Sequence, residues 1–416
     1  MPEPELRAFV NERPVTVARG ARVRDAVREL DAGLADQVEA GAAYVTDARG
    51  VPVAGDAPVG EAGAVFRVVL SARPGGPALS RDALRRWPKV ELHVHLDGCL
   101  RPATMLELAR TQNVRLPADT PEELARRLSV KGARNLEEYL AAYQTTLSVM
   151  QTSAALERIA YEFVQDVAAE NVRYVEVRYS PLLHRPALTL TQAIEAPLAG
   201  FARGSAETGT KVGVIVCGIR TLPPSDSLDL ARAAAGYRSA GVIAFDLAGA
   251  ERGHPAGEHR AAFAYAAGHG MGCTCHAGEG AGAESIAEAI HVCGATRIGH
   301  GTRLGEDPAL LAEVVEKQIP LEMCLTSNLH THTVESLAAH PARKYLTAGV
   351  RVTLSTDGRL MDGVTLTDEY HTAHTALGFT RAELARVVLN GSESAFLPEY
   401  ERVALVARVQ SDLEAL

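Results

Sequence analysis

The stretch KVELHVHL, residues 89–96, has the composition of a buried β-strand and carries two histidines, His93 and His95. Residues i and i+2 of a strand point to the same face, so the two imidazoles are expected to project together. Burying two imidazoles is costly unless their ring nitrogens find partners. A metal ion bound by both rings is one explanation. A pair of core histidines with ordinary hydrogen bonds is the alternative.

Further short apolar runs follow this stretch about every thirty residues, with helix-like segments between them. The runs are Val172–Tyr179, Lys211–Ile219, Val242–Leu247, Gly272–His276, Arg297–His300, Pro320–Cys324 and Arg351–Ser355. Eight strands alternating with helices predict a parallel sheet, and eight is the number that closes a TIM barrel. An open doubly wound sheet is the alternative, but no Gly-x-Gly-x-x-Gly follows the first strand. The fold class is therefore α/β, a (β/α)8 barrel. Its first connection, residues 97–171, is too long for a loop and predicts helices of its own.

The segment SARPGGPALSRD, residues 71–82, divides the chain, because its prolines and glycines cannot continue a regular element. We expect a small α+β domain over residues 1–73, a linker over 74–82 and the barrel over 83–416. The small domain has a hairpin signal around Asn11-Glu12-Arg13-Pro14, an amphipathic helix at 22–30 and strands near 42–45 and 64–70. This order resembles the β-grasp fold of ThiS/MoaD-type carriers and ubiquitin-like domains.

Those carriers end in a free Gly-Gly, whereas Gly75-Gly76 is followed here by Pro77. The two glycines are expected to be flexible linker, with release of a carrier by proteolysis as the alternative. Docking or oligomerisation is another role that the small domain could have.

Composition excludes several classes of protein. The chain has 416 residues, of which 47% are hydrophobic and 22% charged, and a formal net charge of −9. The acidic balance argues against nucleic acid or an anionic membrane as a partner. We find neither an apolar run of membrane-spanning length nor a secretory signal. Six scattered cysteines do not form a disulfide framework, so we expect a cytoplasmic protein.

Ionisable residues also mark the ends of later strands, where barrel enzymes keep their active sites. His276 and Glu279 follow the fifth strand, His300 ends the sixth and Asp357 follows the eighth. Imidazoles with one carboxylate suit Zn²⁺, which lowers the pKa of a bound water to about 7. Glu279 is then free to transfer protons, and His300 is either a further ligand or a base.

At these residues the sequence resembles the adenosine deaminase family, zinc aminohydrolases built on a TIM barrel. The resemblance runs from about Pro88 to the C-terminus, with the motifs in order. The motifs are PKVELHVHLDGCLRPATM (88–105), LERIAYEFVQDVAAENVRYVEVRYSP (156–181), FDLAGAE (245–251), HAGEGAGAESI (276–286), RIGHGTRL (297–304), CLTSN (324–328) and STDG (355–358).

The resemblance implies one Zn²⁺ per chain and a set of catalytic residues. The implied metal ligands are His93, His95, His276 and Asp357. Glu279 matches the acid that protonates purine N1 as hydroxide adds to C6. His300 matches the histidine that holds and deprotonates the metal-bound water, so the implied catalytic residues are Glu279, His300 and Asp357.

The resemblance also implies groups that bind the substrate. Gly249 matches a glycine whose backbone N–H meets purine N3, and Asp97 matches a residue near the ribose 5′ position. Tyr139 and Tyr143 fall where the family has lid aromatics, although core residues at i and i+4 of a helix explain them equally well. Gly358 stands where many members have an acidic or amide side chain for purine N7.

A second departure from the family lies in SNLHTHT, residues 327–333, where His332 replaces the usual glycine and His330 precedes it. These are surface histidines or residues that reshape the rim of the ribose pocket. Both departures spare the metal chemistry, so the reaction type is better determined than the substrate.

The function predicted from the sequence is zinc-dependent deamination of adenosine or a modified adenosine to the 6-oxo product and ammonia. Deamination of another aminopurine is the alternative: free adenine, a 5′-substituted adenosine or a nucleoside of specialised metabolism. Phosphorylated substrates are disfavoured because no Arg/Lys cluster lies at the strand ends. A non-catalytic carrier or interaction protein is a further alternative, and the intact set of metal and catalytic residues argues against it.

Overall fold

The computed structural model describes residues 5–39, 43–47, 52–62, 65–70 and 79–416. The chain divides into two compact units, Met1–Leu79 with Gly378–Arg381, and Ser80–Leu377 with Ala382–Leu416. Gly75-Gly76 and most of the linker expected at 74–82 lie outside the described residues. The domain boundaries expected from the sequence therefore stay a prediction.

The first unit contains a five-stranded sheet in the order β2-β1-β5-β3-β4. Its strands are β1 (Glu5–Val10), β2 (Arg13–Ala18), β3 (Ala43–Asp47), β4 (Pro52–Val53) and β5 (Val65–Leu70). Its helices are α1 (Val23–Leu30), α2 (Ala32–Glu39) and α3 (Val59–Ala62).

The predicted hairpin and helix of this unit are confirmed. β1 pairs antiparallel with β2 and parallel with β5. Asn11 and Glu12 both take positive φ in the turn between β1 and β2, and Asn is one of the residues that tolerate this conformation. Val23, Ala26 and Val27 of α1 are buried in the core of the unit, as the helical spacing predicts. The β-grasp interpretation stays a prediction.

The second unit is built around eight parallel strands in chain order, so all eight predicted strands are confirmed. They are β6 (Lys89–His95), β7 (Val172–Tyr179), β8 (Lys211–Ile219), β9 (Val242–Ala248), β10 (Gly272–Ala277), β11 (Arg297–His300), β12 (Leu321–Met323) and β13 (Val352–Leu354). The first and last strands meet through a parallel bridge between Val94 and Asp357, where His95 N–H donates to the Asp357 carbonyl at 2.8 Å. The fold is the α/β barrel expected from the sequence.

Helices surround these strands. The α-helices are α4 (Arg81–Arg86), α5 (Pro102–Gln112), α6 (Pro121–Leu128), α7 (Leu136–Ala141), α8 (Tyr143–Leu147), α9 (Ser153–Ala168), α10 (Leu190–Thr208), α11 (Pro224–Ala235), α12 (Arg260–Gly268), α13 (Ala283–His291), α14 (Pro308–Glu316), α15 (Leu325–His330), α16 (Ala342–Thr347), α17 (Arg359–Asp362), α18 (Leu366–Thr375), α19 (Arg381–Ser394) and α20 (Glu399–Glu414). Short 3₁₀ helices lie at Leu96–Gly98, Pro181–His184, Arg238–Ala240, Ala256–His259, Thr302–Glu306 and Leu337–Ala339.

The long first connection forms helices α5 to α9, as its length predicts. Several begin at a residue whose side chain accepts a backbone N–H of the first turn, as Asn135 does for α7 and Thr152 does for α9. Tyr139 of α7 lies near the carboxyl ends of the strands, where its hydroxyl donates to Asp357. Among the described residues, no helix combines the length and apolar character that a membrane crossing requires.

Candidate active site

Four buried side chains meet inside the carboxyl end of the barrel. They come from β6, β10, β11 and the third residue after β13, and they are His93, His276, His300 and Asp357. One potential ligand atom from each lies within 4.8 Å of the others. The residues are brought together because the strands are parallel, so that their carboxyl ends share one rim.

His95 lies beside this cluster and is slightly more exposed than His93. Its Nε2 atom is 3.1 Å from Nε2 of His276 and 3.3 Å from Oδ1 of Asp357. His93 Nε2 is 3.4 Å from the same oxygen. The i, i+2 pair on β6 therefore converges on Asp357 as its spacing predicts.

The backbone at two of these residues takes an uncommon conformation. His300 has φ +61° and Asp357 has φ +62°, a region that side chains other than glycine enter at a cost of about 1–3 kcal/mol. Such strain persists where surrounding contacts hold the residue in place. Ser327 Oγ donates to Asp357 Oδ2 at 2.6 Å, and Tyr139 donates to the same oxygen at 3.3 Å.

Beneath the cluster lies a set of five buried charges that we call the lower charged layer. Its members are Glu176, Arg178, Asp246, Arg297 and Glu322. Arg178 donates to Asp246 at 3.0 Å and to Glu322 at 2.7 Å, and Arg297 bridges Glu322 and Glu176. Although burial opposes ionisation of Glu322, Arg178 and Arg297 hold its pKa well below the ordinary value. The layer therefore supplies fixed negative charge directly under the histidines.

Two carboxylates of this layer orient two histidines of the cluster. Glu322 Oε2 is 2.8 Å from His93 Nδ1, and Asp246 Oδ2 is 2.9 Å from His276 Nδ1. A carboxylate at Nδ1 favours the tautomer with the proton there, which leaves the Nε2 lone pair for a ligand. Nε2 of His93 is buried and has no hydrogen-bond partner among the described residues.

That unpartnered nitrogen is the observation that fits a metal. A buried imidazole nitrogen without a partner is costly, and a divalent ion bound by N and O donors removes the cost. The donor set of imidazoles and one carboxylate, in which Glu322 supports His93, Asp246 supports His276 and Ser327 supports Asp357, is typical of such a centre.

Glu279 faces the cluster from the loop after β10. Its Oε2 atom is 3.5 Å from His300 Nε2, while Oε1 is buried and has no hydrogen-bond partner among the described residues. Burial, and then the nearby carboxylates of Asp357 and Glu251, raise the pKa of Glu279 well above its ordinary value. The protonated acid is therefore available to donate.

The loop that carries Glu279 is held by another carboxylate. Glu251 accepts the backbone N–H groups of residues 278, 279, 280 and 281 at 2.6–3.0 Å. Four charge-assisted hydrogen bonds to one side chain fix the loop against the barrel. The sequence analysis quoted Glu251 within FDLAGAE and assigned it no role.

A cavity of about 330 Å³ opens above the cluster, and its polar lining is acidic. Its lining includes His95, Asp97, Glu137, Tyr139, Tyr143, Gly249, His276, Glu279, His300 and Asp357. Among the described residues that line it there is no lysine or arginine. The volume lies at the small end of the range for small-molecule sites.

The predicted substrate-binding residues divide into two groups. Asp97, Tyr139, Tyr143 and Gly249 all line the cavity, and Gly249 has φ +102°, which favours glycine. Asp97 Oδ1 is buried with no partner in the part of the chain that the structure describes, and burial raises the pKa of this carboxyl to about 7. Gly358 is not among the described lining residues.

His330 and His332 are also absent from the described lining of this cavity. His330 Nδ1 is 2.7 Å from Asp362, while His332 is exposed and contacts the carbonyl of Ala133 at 2.9 Å. His332 has φ +57°, so the backbone there still takes the conformation that suits a glycine.

The residues that support the cluster were not predicted from the sequence: Arg178, Asp246, Glu251, Glu322, Ser327 and Asn328. Asn328 contributes through its side-chain amide, whose nitrogen is 3.0 Å from His300 Nδ1. The sequence does contain a sign of three of these residues: Arg178, Asp246 and Glu322 are charged residues inside otherwise apolar strands. Which histidine each carboxylate would meet depended on strand order and register.

The comparisons with known proteins agree with this geometry. Residues 88–412 match the family model described as adenosine deaminase, so the chain belongs to the adenosine deaminase family and is an aminohydrolase. An adenosine deaminase of Mycobacterium avium is 39% identical over 352 residues, which cover 80% of this chain and 96% of that protein. A probable adenosine deaminase of Dictyostelium discoideum is 40% identical over 77% of this chain, a match that spans 42% of that longer protein.

Solved structures show the same fold. An adenine deaminase from Arthrobacter aurescens superposes with a TM-score of 0.72 at 26% identity, covering 79% of this chain and 99% of that one. Arabidopsis ADAL in complex with IMP gives 0.70 at 25% identity over 80% and 98% of the two chains. A Burkholderia ambifaria amidohydrolase with bound Zn gives 0.75 at 24% identity, covering 83% and 96%.

Proposed function

We propose that this enzyme hydrolyses the 6-amino group of adenosine or a modified adenosine, which yields the 6-oxo nucleoside and ammonia. The observation that carries the proposal is the position of the buried acid Glu279, beside His300 and over the cluster, at the base of a cavity of nucleoside size. Family membership and relatives that are named adenosine deaminase support it.

One Zn²⁺ per chain completes the site in this proposal. The residues that hold it are His93, His95, His276 and Asp357. When bound, a divalent metal of this kind supplies water that is activated as a nucleophile at neutral pH. His300 stands next to these ligands, and its ring is neutral because burial, and then the neighbouring His93, lower its pKa well below the ordinary value.

Protons move between two chain residues and the substrate. Attack on C6 places negative charge on the ring, and protonation of N1 removes it. Glu279 donates that proton, since burial near the carboxylates of Asp357 and Glu251 raises its pKa and favours the protonated acid. His300 accepts the proton that the attacking water loses. His300 returns its proton to the 6-amino group, which leaves as ammonia, and the C6 hydroxyl passes its proton to Glu279 as the C6–O double bond forms.

The lining of the cavity favours an uncharged nucleoside over a nucleotide. The backbone N–H of Gly249 donates to purine N3, and Asp97 accepts a hydrogen bond from the ribose 5′-hydroxyl. Asp97 and Glu137 line the cavity, and the described lining residues include no lysine or arginine that could pair with a phosphate. ADAL, which was solved with IMP, differs in that its ligand carries a phosphate.

Two further parts of the proposal concern the whole protein. We place the enzyme in the cytoplasm, where a reducing environment suits six cysteines that are all free and buried. We assign docking or oligomerisation to the N-terminal unit.

The test is ammonia release from adenosine, 2′-deoxyadenosine, 5′-deoxyadenosine, adenine and AMP, with the bound metal measured in the same preparation. We expect turnover of a nucleoside at least tenfold faster than that of AMP, with about one zinc per chain. Faster turnover of adenine than of any nucleoside would reassign the substrate. Absence of ammonia release from all five compounds, with metal bound to the enzyme, would overturn the proposal.

A further inference from the structure

Position 358, directly after Asp357, has no room for a side chain. A Cβ atom built on Gly358 would lie 2.5 Å from the Tyr143 hydroxyl and 2.9 Å from the Tyr139 hydroxyl. Gly98 limits the same space from another direction, since its Cβ would lie 2.9 Å from the Tyr143 hydroxyl. Two glycines thus make a slot that the end of Tyr143 fills.

The two hydroxyls in this region have different hydrogen-bond partners. Tyr139 donates to Asp362 Oδ2 at 2.9 Å, with Asp357 Oδ2 at 3.3 Å as a second acceptor. For Tyr143, the hydrogen-bond contact within the described residues is the Tyr139 oxygen at 3.5 Å, the limit for such a bond. The proton of Tyr143 is therefore the one available to a ligand.

Both tyrosines line the cavity and are nearly fully buried. Burial, and then the negative charge of Asp357, raise the pKa of Tyr143 well above its ordinary value. The hydroxyl keeps its proton across the physiological range and can act as a hydrogen-bond donor.

The hydrogen-bond acceptors of a 6-aminopurine determine which of its atoms the Tyr143 hydroxyl can bind. When C6 faces the cluster, N1 lies on one side of it and N7 on the other, and both nitrogens are acceptors. Glu279 occupies the N1 side in the proposed function. We propose that the Tyr143 hydroxyl donates to purine N7, in place of the side chain that position 358 lacks. This inference rests on the proposed function and names the part of the purine that the enzyme selects.

The test compares adenosine with 7-deazaadenosine, in which a C–H group replaces N7. Wild-type enzyme is expected to prefer adenosine in kcat/KM by roughly five- to a hundredfold, because the analogue leaves the hydroxyl unpaired. Tyr143→Phe should lower kcat/KM for adenosine by a similar factor. The kcat/KM values of adenosine and 7-deazaadenosine should then become nearly equal. Loss of N7 also changes the reactivity of C6, so the ratio between substrates is compared across variants.

Two further variants sharpen the comparison. Gly358→Ala places a methyl group 2.5 Å from the Tyr143 hydroxyl, which must then shift, so the variant should reduce the same ratio while Tyr143 is retained. It keeps the test usable if Tyr143→Phe folds poorly. Tyr400→Phe removes an exposed hydroxyl that is 2.8 Å from Glu401 and should leave the ratio unchanged.

The outcomes separate this inference from the proposed function. Turnover of adenosine with the same ratio in wild type, Tyr143→Phe and Gly358→Ala would overturn the role of Tyr143 and leave the deaminase assignment standing. Absence of adenosine turnover in wild-type enzyme with metal bound would overturn both.

Discussion

The interior of the barrel holds two neighbouring sets of buried ionisable groups that differ in how their atoms are paired. In the lower charged layer, every carboxylate oxygen of Glu176, Asp246 and Glu322 has a partner, and Arg178 Nε is the one side-chain nitrogen of the layer that is buried without a partner among the described residues. In the site above it, His93 Nε2, Glu279 Oε1 and Asp97 Oδ1 are buried with no partner in the described part of the chain. Unpaired buried polar atoms cost free energy, so they mark where a ligand is expected.

The difference indicates that the lower charged layer stabilises the fold, whereas the site above it binds ligands. The lower layer resembles a structural ion-pair network, in which removing one partner destabilises the fold by about 3–5 kcal/mol. In the site, the three atoms named above are left for a ligand, and the backbone of His300 and Asp357 takes positive φ. Three sets of substitutions test this division, in order of decreasing effect.

The largest effect is expected from His95→Ala, because it removes an imidazole whose Nε2 is close to both His276 and Asp357. We expect loss of bound zinc and of activity together, measured by elemental analysis and ammonia release. His300→Ala is the matched variant. It should retain zinc while losing activity, and the opposite pattern would make His300 the ligand.

Glu279→Gln comes next. It keeps the shape of the side chain and removes the proton donor, so kcat should fall by about 10²–10⁴-fold with the zinc content unchanged. Glu316→Gln, an exposed change on α14, serves as the control. A variant that turns over adenosine at the wild-type rate would show that another group protonates N1.

A smaller effect is expected from Glu322→Gln in the lower layer. The amide can still accept from His93 Nδ1, but the charge that favours that tautomer is gone, so zinc affinity should fall by about 10- to 100-fold. Competition with a chelator measures the affinity, and thermal unfolding of the metal-free protein measures the stability. Unchanged affinity would assign the lower layer to stability alone.

Local pattern was sufficient to predict much of this molecule. Apolar runs alternating with helical segments predicted all eight barrel strands, and His93 and His95 were recognised because side chains two apart share a face of a strand. The prediction of Gly358 as a substrate contact came from the family pattern and could not include the tyrosines that fill its space. Those tyrosines come from the first connection, and Tyr139 is 218 positions from Asp357.

Residue types at strand spacing and at strand ends were sufficient to predict the barrel and a metal site, and the resemblance to the adenosine deaminase family supplied the reaction type. The groups that support the site became visible in the folded chain: Glu322 under His93 across 229 positions, Glu251 under the Glu279 loop, and Tyr143 in the slot at Gly358. They could not be predicted because periodicity reports on neighbours along one element. Contacts between elements depend on strand order, register and close packing, which no local pattern encodes.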